Sequence, residues 1–294
     1  MNEIQIARRL DQARALVEEE KYLHAIQIYL RLIIAEPTFL LPFVELASLY
    51  ADMGRIPASI HLLSQADARF PNNPEIIFLL GSYHLRIDKY EKALALFKHL
   101  AVHKLPQVHF NMGIAYFYQN KFLEAEEQFR LTLKYDPAFP KINESLGEML
   151  IKREAYAEAI EYLKKGIATD PYSAVNHYLL GLAYSRLDHW KMAYNEFILS
   201  VDLDPNQPSN WQMCGESLMQ LKRYPEAEPY LRKALELFPQ SVDTLVDLGY
   251  VLSKKGEQAR ALELIDRALK VDPVNARVRE ARWRLRHQGK QSSK

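Results

Sequence analysis

The chain has 294 residues, long enough for two ordinary domains or one long repeat array. Its 48% hydrophobic and 26% charged content supplies a sizeable core and argues against disorder. Lys plus Arg (38) balance Asp plus Glu (37), which removes a whole-chain electrostatic case for nucleic acid or membrane, and the single cysteine, Cys214, excludes an internal disulfide and a cysteine-based zinc site.

The N-terminus reads Met1-Asn2-Glu3-Ile4-Gln5, then Arg8, Arg9 and Asp11, without the apolar stretch of a secretory signal. No apolar run is long enough to span a bilayer, so a soluble, cytoplasmic protein without a transmembrane segment is expected. Self-similarity dominates everything that follows. Gly81, Gly113, Gly147, Gly181, Gly215 and Gly249 are spaced 32, 34, 34, 34 and 34 residues apart, and stepping back by 34 reaches Ala47 and Ala13. Twelve residues after each of these stands another small residue: Ala25, Ser59, Ala93, Ala125, Ala159, Ala193, Ala227 and Ala261. A proline follows twelve later in seven of the eight cases: Pro37, Pro71, Pro137, Pro171, Pro205, Pro239 and Pro273.

In chain order the predicted elements are eight helix pairs, at about 6–39, 40–73, 74–105, 106–139, 140–173, 174–207, 208–241 and 242–275. Each pair holds two segments of helical period, as in Val108 to Tyr118 and Phe122 to Leu133. The proline stops the second helix, and the small residues allow the two helices to cross closely. The first repeat carries Arg9 and Gln12 at core positions, as a terminal repeat with no upstream neighbour can. The third is two residues short before Pro106, which predicts a local change in stacking, and Pro229 inside a helix of the seventh predicts a kink. After the eighth pair, Ala276 to His287 reads as one more helix whose Val278, Ala281 and Leu285 share a side and cover the last repeat.

The pattern closely resembles the tetratricopeptide repeat, over about residues 6 to 275. With each repeat numbered 1 to 34, the family's bulky–Leu–Gly–Tyr set at 4, 7, 8 and 11 appears as His177, Leu180, Gly181 and Tyr184, and as Trp211, Cys214, Gly215 and Leu218. Its second-helix set at 17, 20, 24 and 27 appears as Phe122, Ala125, Phe129 and Thr132. The resemblance implies an all-α fold: one right-handed superhelical solenoid of eight helix-turn-helix repeats, with residues 276–294 as a capping helix and basic tail. It also implies that proteins or peptides bind on the concave inner surface, lined by first-helix positions 2, 5, 6, 9, 12 and 13.

At about 100° per residue those positions lie opposite the helix-pair contact. The third repeat places Glu75, Phe78, Leu79, Ser82, Leu85 and Arg86 there, and the fourth Gln107, Phe110, Asn111, Ile114, Phe117 and Tyr118. The fifth offers Lys141, Glu144, Ser145, Glu148, Ile151 and Lys152, a charged rung. The sixth returns to Val175, Tyr178, Leu179, Leu182, Ser185 and Arg186. Large apolar side chains are rarely left in water without a use, and aromatics are favoured anchors. The expected ligand is an amphipathic or extended segment of a partner protein. Its apolar face would lie on Phe78, Phe110, Phe117, Tyr118, Tyr178 and Leu182, with its polar groups near Lys141, Glu144, Glu148 or Arg186. The competing reading is that several of these side chains pack against the neighbouring repeat. Two family specialisations, chaperone-tail binding and the asparagine ladder of O-linked N-acetylglucosamine transferase, find no matching set, Asn111 alone agreeing with the second.

Nothing in the sequence converges on catalysis, and no cofactor or metal is expected. His99 and His103 are one turn apart but lack a third ligand, while His109 and His177 occupy a packing position and Cys214 a core one. From Ala276 onward seven basic residues (Arg277, Arg279, Arg282, Arg284, Arg286, Lys290 and Lys294) face only Glu280, a formal +6 that leaves the rest of the chain at −5. This suits a capping helix with a polar outer face. The leading expectation is a non-catalytic protein-binding scaffold. Two alternatives remain open: nucleic acid or an anionic membrane bound through the basic helix, with Trp283 stacking or inserting, and self-assembly into a homo-oligomer.

Overall fold

The computed structural model describes residues 3–288, which form seventeen α-helices and no strand among the described residues. Lys290 and Lys294 of the basic tail lie outside the described residues. The helices gather into two compact units, residues 1–142 and 143–294.

The first unit contains α1 (Glu3–Glu18), α2 (Tyr22–Ala35), α3 (Leu41–Asp52), α4 (Ile56–Arg69), α5 (Pro74–Arg86), α6 (Tyr90–Leu100), α7 (Pro106–Tyr118) and α8 (Phe122–Tyr135). Odd and even helices pack in consecutive pairs, and Phe43, Leu46, Leu63, Ile76, Phe97 and Phe129 are almost wholly buried along the unit. Arg9 and Gln12 are exposed on α1, as a polar outer face requires. The short third repeat loses its residues from the second helix: α6 has 11 residues where α4 and α8 have 14, and a 3-10 turn, Ala101–His103, leads to Lys104 at φ 55°.

The second unit contains α9 (Ile142–Lys152), whose first residue belongs to the first unit, then α10 (Tyr156–Thr169), α11 (Ala174–Arg186), α12 (Trp190–Leu203), α13 (Pro208–Gln220), α14 (Tyr224–Leu237), α15 (Val242–Lys254), α16 (Gln258–Val271) and α17 (Ala276–Gln288). Helix α14 continues through Pro229. Both Pro229 and Pro225, whose carbonyl loses its helical partner there, face water.

Two local devices recur in every repeat. A methyl group added at Gly113 would stand 2.5 Å from the Phe129 ring, at Gly147 2.5 Å from Leu163, and at Gly181 2.7 Å from Phe197. At these three glycines the paired helices cross too closely for a side chain, whereas alanine, as Ala13 and Ala47, fills the position in the first two repeats. The first helix then ends on a left-handed residue fifteen positions into each repeat: Glu20, Gly54, Asp88, Asn120, Glu154, Asp188, Lys222 and Gly256, with φ between 58° and 86°. The next amide returns to the helix, as Lys21 does to the Leu16 carbonyl at 2.8 Å and Arg223 to the Leu218 carbonyl at 2.8 Å. Only two of the eight are glycine, so the turn accepts an intrinsic cost of about 1–2 kcal/mol at several of the others, least where Asn or Asp stands.

Helix α17 sits 34 residues after α15 and is held as the first helix of a further repeat would be. Trp211 Nε1–H donates to the Pro205 carbonyl at 2.8 Å, and Arg279 Nε–H donates to the Pro273 carbonyl at 2.9 Å from the equivalent position. Val278 is fully buried, with Ala281 and Leu285 packed beside it. Arg277 reaches Asp243 at 3.0 Å and the buried Asp247 at 2.5 Å, and Gln212 of α13 donates to the second oxygen of Asp247 at 3.5 Å. Burial pushes the Asp247 carboxyl up to about 6, more than Arg277 pulls it down, and Glu216 adds to the rise.

Gly113→Ala is expected to lose about 1–2 kcal/mol in equilibrium unfolding, because ring displacement outweighs the roughly 1 kcal/mol gained in helix propensity. Gly249→Ala has more room, with Ile265 at 3.1 and 3.3 Å and the Ala261 carbonyl at 3.4 Å, and should stay near wild type. Equal effects would show that the crossing distance is not the constraint. A second expectation concerns Asp247, whose pKa in the fold lies above its unfolded value. Its contribution to stability is full below the unfolded pKa and lost as pH rises through about 6. Stability relative to Asp247→Asn should therefore improve by about 2 kcal/mol from pH 7 to pH 4. A difference that does not change with pH would contradict the assignment.

Candidate functional site

In the first unit, the sequence-predicted groove residues of α5 and α7 come together. Asn111 donates to Ser82 Oγ at 3.4 Å, joining the two helices directly. Phe78 and Phe110 are half-buried and lean on the second helices of their own repeats, with ring centroids 6.1 Å from Phe97 and 5.8 Å from Phe129. Phe110 also meets Phe139 at 4.9 Å. Leu79 packs on the cluster built by the first five helices, and Ile114 is half-buried. Phe117 sits between Tyr118 and Phe122 at 5.5 and 5.9 Å. Tyr118 is the exposed member of this aromatic set, 61% accessible and stacked 5.8 Å from Tyr90. Arg86 is exposed, lies over the Tyr83 ring and reaches the Ala51 carbonyl at 3.5 Å, and Lys141 is exposed at the end of the unit.

In the second unit, Glu144 and Glu148 lie one turn apart on α9, both half-buried. Burial pushes the Glu148 carboxyl up, Lys152 pulls it down and Glu144 raises it again. Ser173 Oγ–H donates to Glu144 at 3.5 Å. Tyr178 repeats the geometry of Phe110, its ring 5.8 Å from Phe197 and its hydroxyl pKa raised by burial. Leu182 is half-buried and Arg186 exposed. The aromatics at position 5, Phe78, Phe110 and Tyr178, spend most of their surface on packing, since a ring is long enough to reach back over its own helix pair.

Sequence reasoning missed a cleft of about 450 Å³ between α13, α15 and α17, floored by Val246, Ile265, Ala281 and Leu285. Around its mouth stand Asp247, Tyr250, Lys254, Arg277, Glu280 and Arg284. The available signal was the register: carrying the 34-residue step into the last helix places Arg277 at position 2 and Ala281 at position 6.

The remaining candidates are structural. His177 is buried, with Nδ1 2.8 Å from Glu196 and Nε2 3.3 Å from the Pro171 carbonyl, and His109 is buried with Nδ1 2.8 Å from Gln128. Burial pushes the Cys214 thiol up to about 12, which makes it a poor nucleophile. His99 and His103 are exposed, and no group of three or more His, Cys, Asp or Glu among the described residues is placed to hold a metal. In α17, Arg282 pairs with Asp266 at 2.7 Å and Arg284 with Glu280 at 2.6 Å, while Trp283 is 62% exposed and stacked on His287. Among the described residues no helix is long and apolar enough to cross a membrane.

Comparison with known proteins agrees with this architecture. Tetratricopeptide repeat models match residues 44–106 and 110–174, and a second matches 218–285; a model of anaphase-promoting complex, cyclosome, subunit 3 matches 152–234. BBSome complex member BBS4 of Bos taurus is 25% identical over 242 residues, covering 78% of this chain and 47% of its own length. TPR repeat-containing protein YpiA of Bacillus subtilis is 24% identical over 233 residues, covering 78% and 55%. The chain thus spans about half the length of these relatives. Among solved structures, the APC/C hetero-tetramer Cut9-Hcn1 superposes with a TM-score of 0.65 at 16% identity, covering 94% of this chain and 55% of that one, a likeness of fold. Family models, helix order and crossing geometry agree, and the chain belongs to the tetratricopeptide repeat family.

Proposed function

We propose that the protein is a non-catalytic scaffold that binds an amphipathic or extended segment of a partner protein along the first-helix faces of its repeats. The observation that carries this reading is the surface of α5 and α7. Tyr118 stands exposed beside half-buried Phe117 and Ile114, with Arg86 at the edge. Such a surface offers apolar area already ordered by packing, so a ligand binds without first immobilising it. Proteins of this family generally mediate protein–protein interaction. BBS4 is named as a complex member, and Cut9-Hcn1 was solved as a hetero-tetramer, so both assemble with other chains. Recruitment of a polyanion by the basic helix has less support, because Arg277, Arg279, Arg282 and Arg284 are each engaged within the chain.

The test is recovery of partners from the native source with wild type and with Tyr118→Ser plus Ile114→Lys. These changes leave the Phe110 packing in place, whereas Phe110→Ser should cost about 2 kcal/mol of stability by itself. Loss of a partner with unchanged helicity and unfolding midpoint is the expected result. Identical recoveries by both proteins would remove this face from consideration.

A further inference from the structure

We infer that the first-helix face of the second unit, across α9, α11 and α13, receives an extended segment of a partner protein that carries a basic residue on each side of an apolar one. The inference rests on the scaffold reading and names the chemistry of the ligand on this part of the chain. Charge on these helices is sorted by position. Positions 5, 6 and 9 of α9, α11, α13 and α15 hold Glu144, Glu148, Glu216 and Asp247, and no cation. In the first unit the same positions of α3, α5 and α7 hold Glu45 alone, and Arg14 already pairs with it at 2.5 Å. The surplus of negative charge belongs to the second unit.

The four carboxylates differ in what they face. Asp247 is paired with Arg277, which Asp243 shares, and Glu144 accepts from Ser173 at 3.5 Å. Glu148 and Glu216 are half-buried and form no ion pair among the described residues. Burial pushes the Glu148 carboxyl up, Lys152 draws it down by less, and Glu144 raises it again. Glu216 in turn helps to raise the Tyr178 hydroxyl and the Asp247 carboxyl. Lys152 and Arg186 stand one helical turn further on, at position 13, where both are exposed. A partly desolvated carboxylate without a counter-ion gains from a cation delivered to it. Leu182 holds in α11 the position that Glu148 and Glu216 hold in α9 and α13, and it is half-buried, as are Tyr178 and Met213 on the same faces. Along the three helices the surface therefore runs carboxylate, apolar, carboxylate.

The spacing sets the ligand. Ser173 at the start of α11 reaches Glu144 of α9, and Tyr178 of α11 is hydrogen-bonded to Ser209 of α13, so the three first helices follow one another directly. Packed helices lie about 8–10 Å apart, so α9 and α13 are about 20 Å apart, which an extended chain at about 3.3 Å per residue covers in about six residues. A basic side chain at each end then meets Glu148 and Glu216 while the middle lies on Leu182. A segment with acidic ends would face the same two carboxylates and be rejected.

The test uses three synthetic peptides carrying a neutral dye, with cores Arg-Ser-Leu-Phe-Ser-Arg, Glu-Ser-Leu-Phe-Ser-Glu and Arg-Ser-Gly-Gly-Ser-Arg. The full chain is titrated into each and binding is read by fluorescence anisotropy. The first peptide should bind at least about tenfold more tightly than either of the others. Glu148→Gln with Glu216→Gln, which keeps the side-chain shapes, should remove its advantage over the acidic peptide without lowering the unfolding midpoint. Glu148→Lys with Glu216→Lys should turn the preference towards the acidic peptide. Absence of binding, equal binding of the glycine peptide, or indifference to the double glutamine change would each overturn the inference. Tyr118→Ser with Ile114→Lys should leave the peptide affinity unchanged, and its loss there would place the site in the first unit and overturn the inference too. The two readings fail separately. Partner recovery that depends on Tyr118 survives a failure of the peptides, and peptide binding that depends on Glu148 and Glu216 survives a failure of the α5 and α7 face.

Discussion

The close crossing of two helices at a residue without a side chain governs the rest of the structure. At Gly113 and Gly181 there is no room for even a methyl group above Phe129 and Phe197. The aromatic ring therefore lies flat under a bare turn of helix, and the face bearing positions 4, 7, 8 and 11 is committed to the pair. Because a helix turns about 100° per residue, fixing that face also fixes the opposite one, where positions 5, 6 and 9 must lie. The face proposed to bind a partner is in this sense a by-product of the packing contact. A larger residue at the crossing would separate the helices and also move every side chain on the far face.

The same argument separates what could be read from the sequence from what could not. The helix pairs were legible because glycine, alanine and proline recur at fixed steps and each has a steric reason to be where it stands. The expectation that Phe78, Phe110 and Tyr178 share a face was legible from angle alone. Their half-burial was not, since it depends on side-chain reach and on Phe97, Phe129 and Phe197 lying beneath. The left-handed turn residues left no signal of type, because Glu20, Asn120 and Lys222 adopt one conformation imposed by returning amides. The cleft was not foreseen, because it depends on how α13, α15 and α17 are spaced, which periodicity does not record.

On the proposed reading, packing and binding are shared by the same rings. A wholly exposed aromatic would have to be ordered by its ligand at a cost in side-chain entropy, and a wholly buried one could offer no surface. Phe117 occupies the middle ground: held by Phe122 on one side, it still presents part of its ring beside Tyr118. Substitution there would confound stability with affinity. Tyr118, outermost of the set, carries the cleaner information.

Helix α17 shows how charge can be spent on architecture. Its only fully buried apolar side chain is Val278, so little of its hold comes from hydrophobic area. Instead Arg277 binds Asp243 and Asp247, Arg279 the Pro273 carbonyl and Arg282 Asp266. Burying Asp247 is costly, as its raised pKa records, and a buried ion pair often adds little net stability. What it does supply is register, because a guanidinium held between two carboxylates on successive turns of α15 admits few other placements of α17. Arginines occupied in this way are poorly available to a polyanion, which would have to compete with carboxylates already in place. Among the described residues of the segment that is most basic in sequence, Arg277, Arg282 and Arg284 are thus paired with carboxylates in the fold.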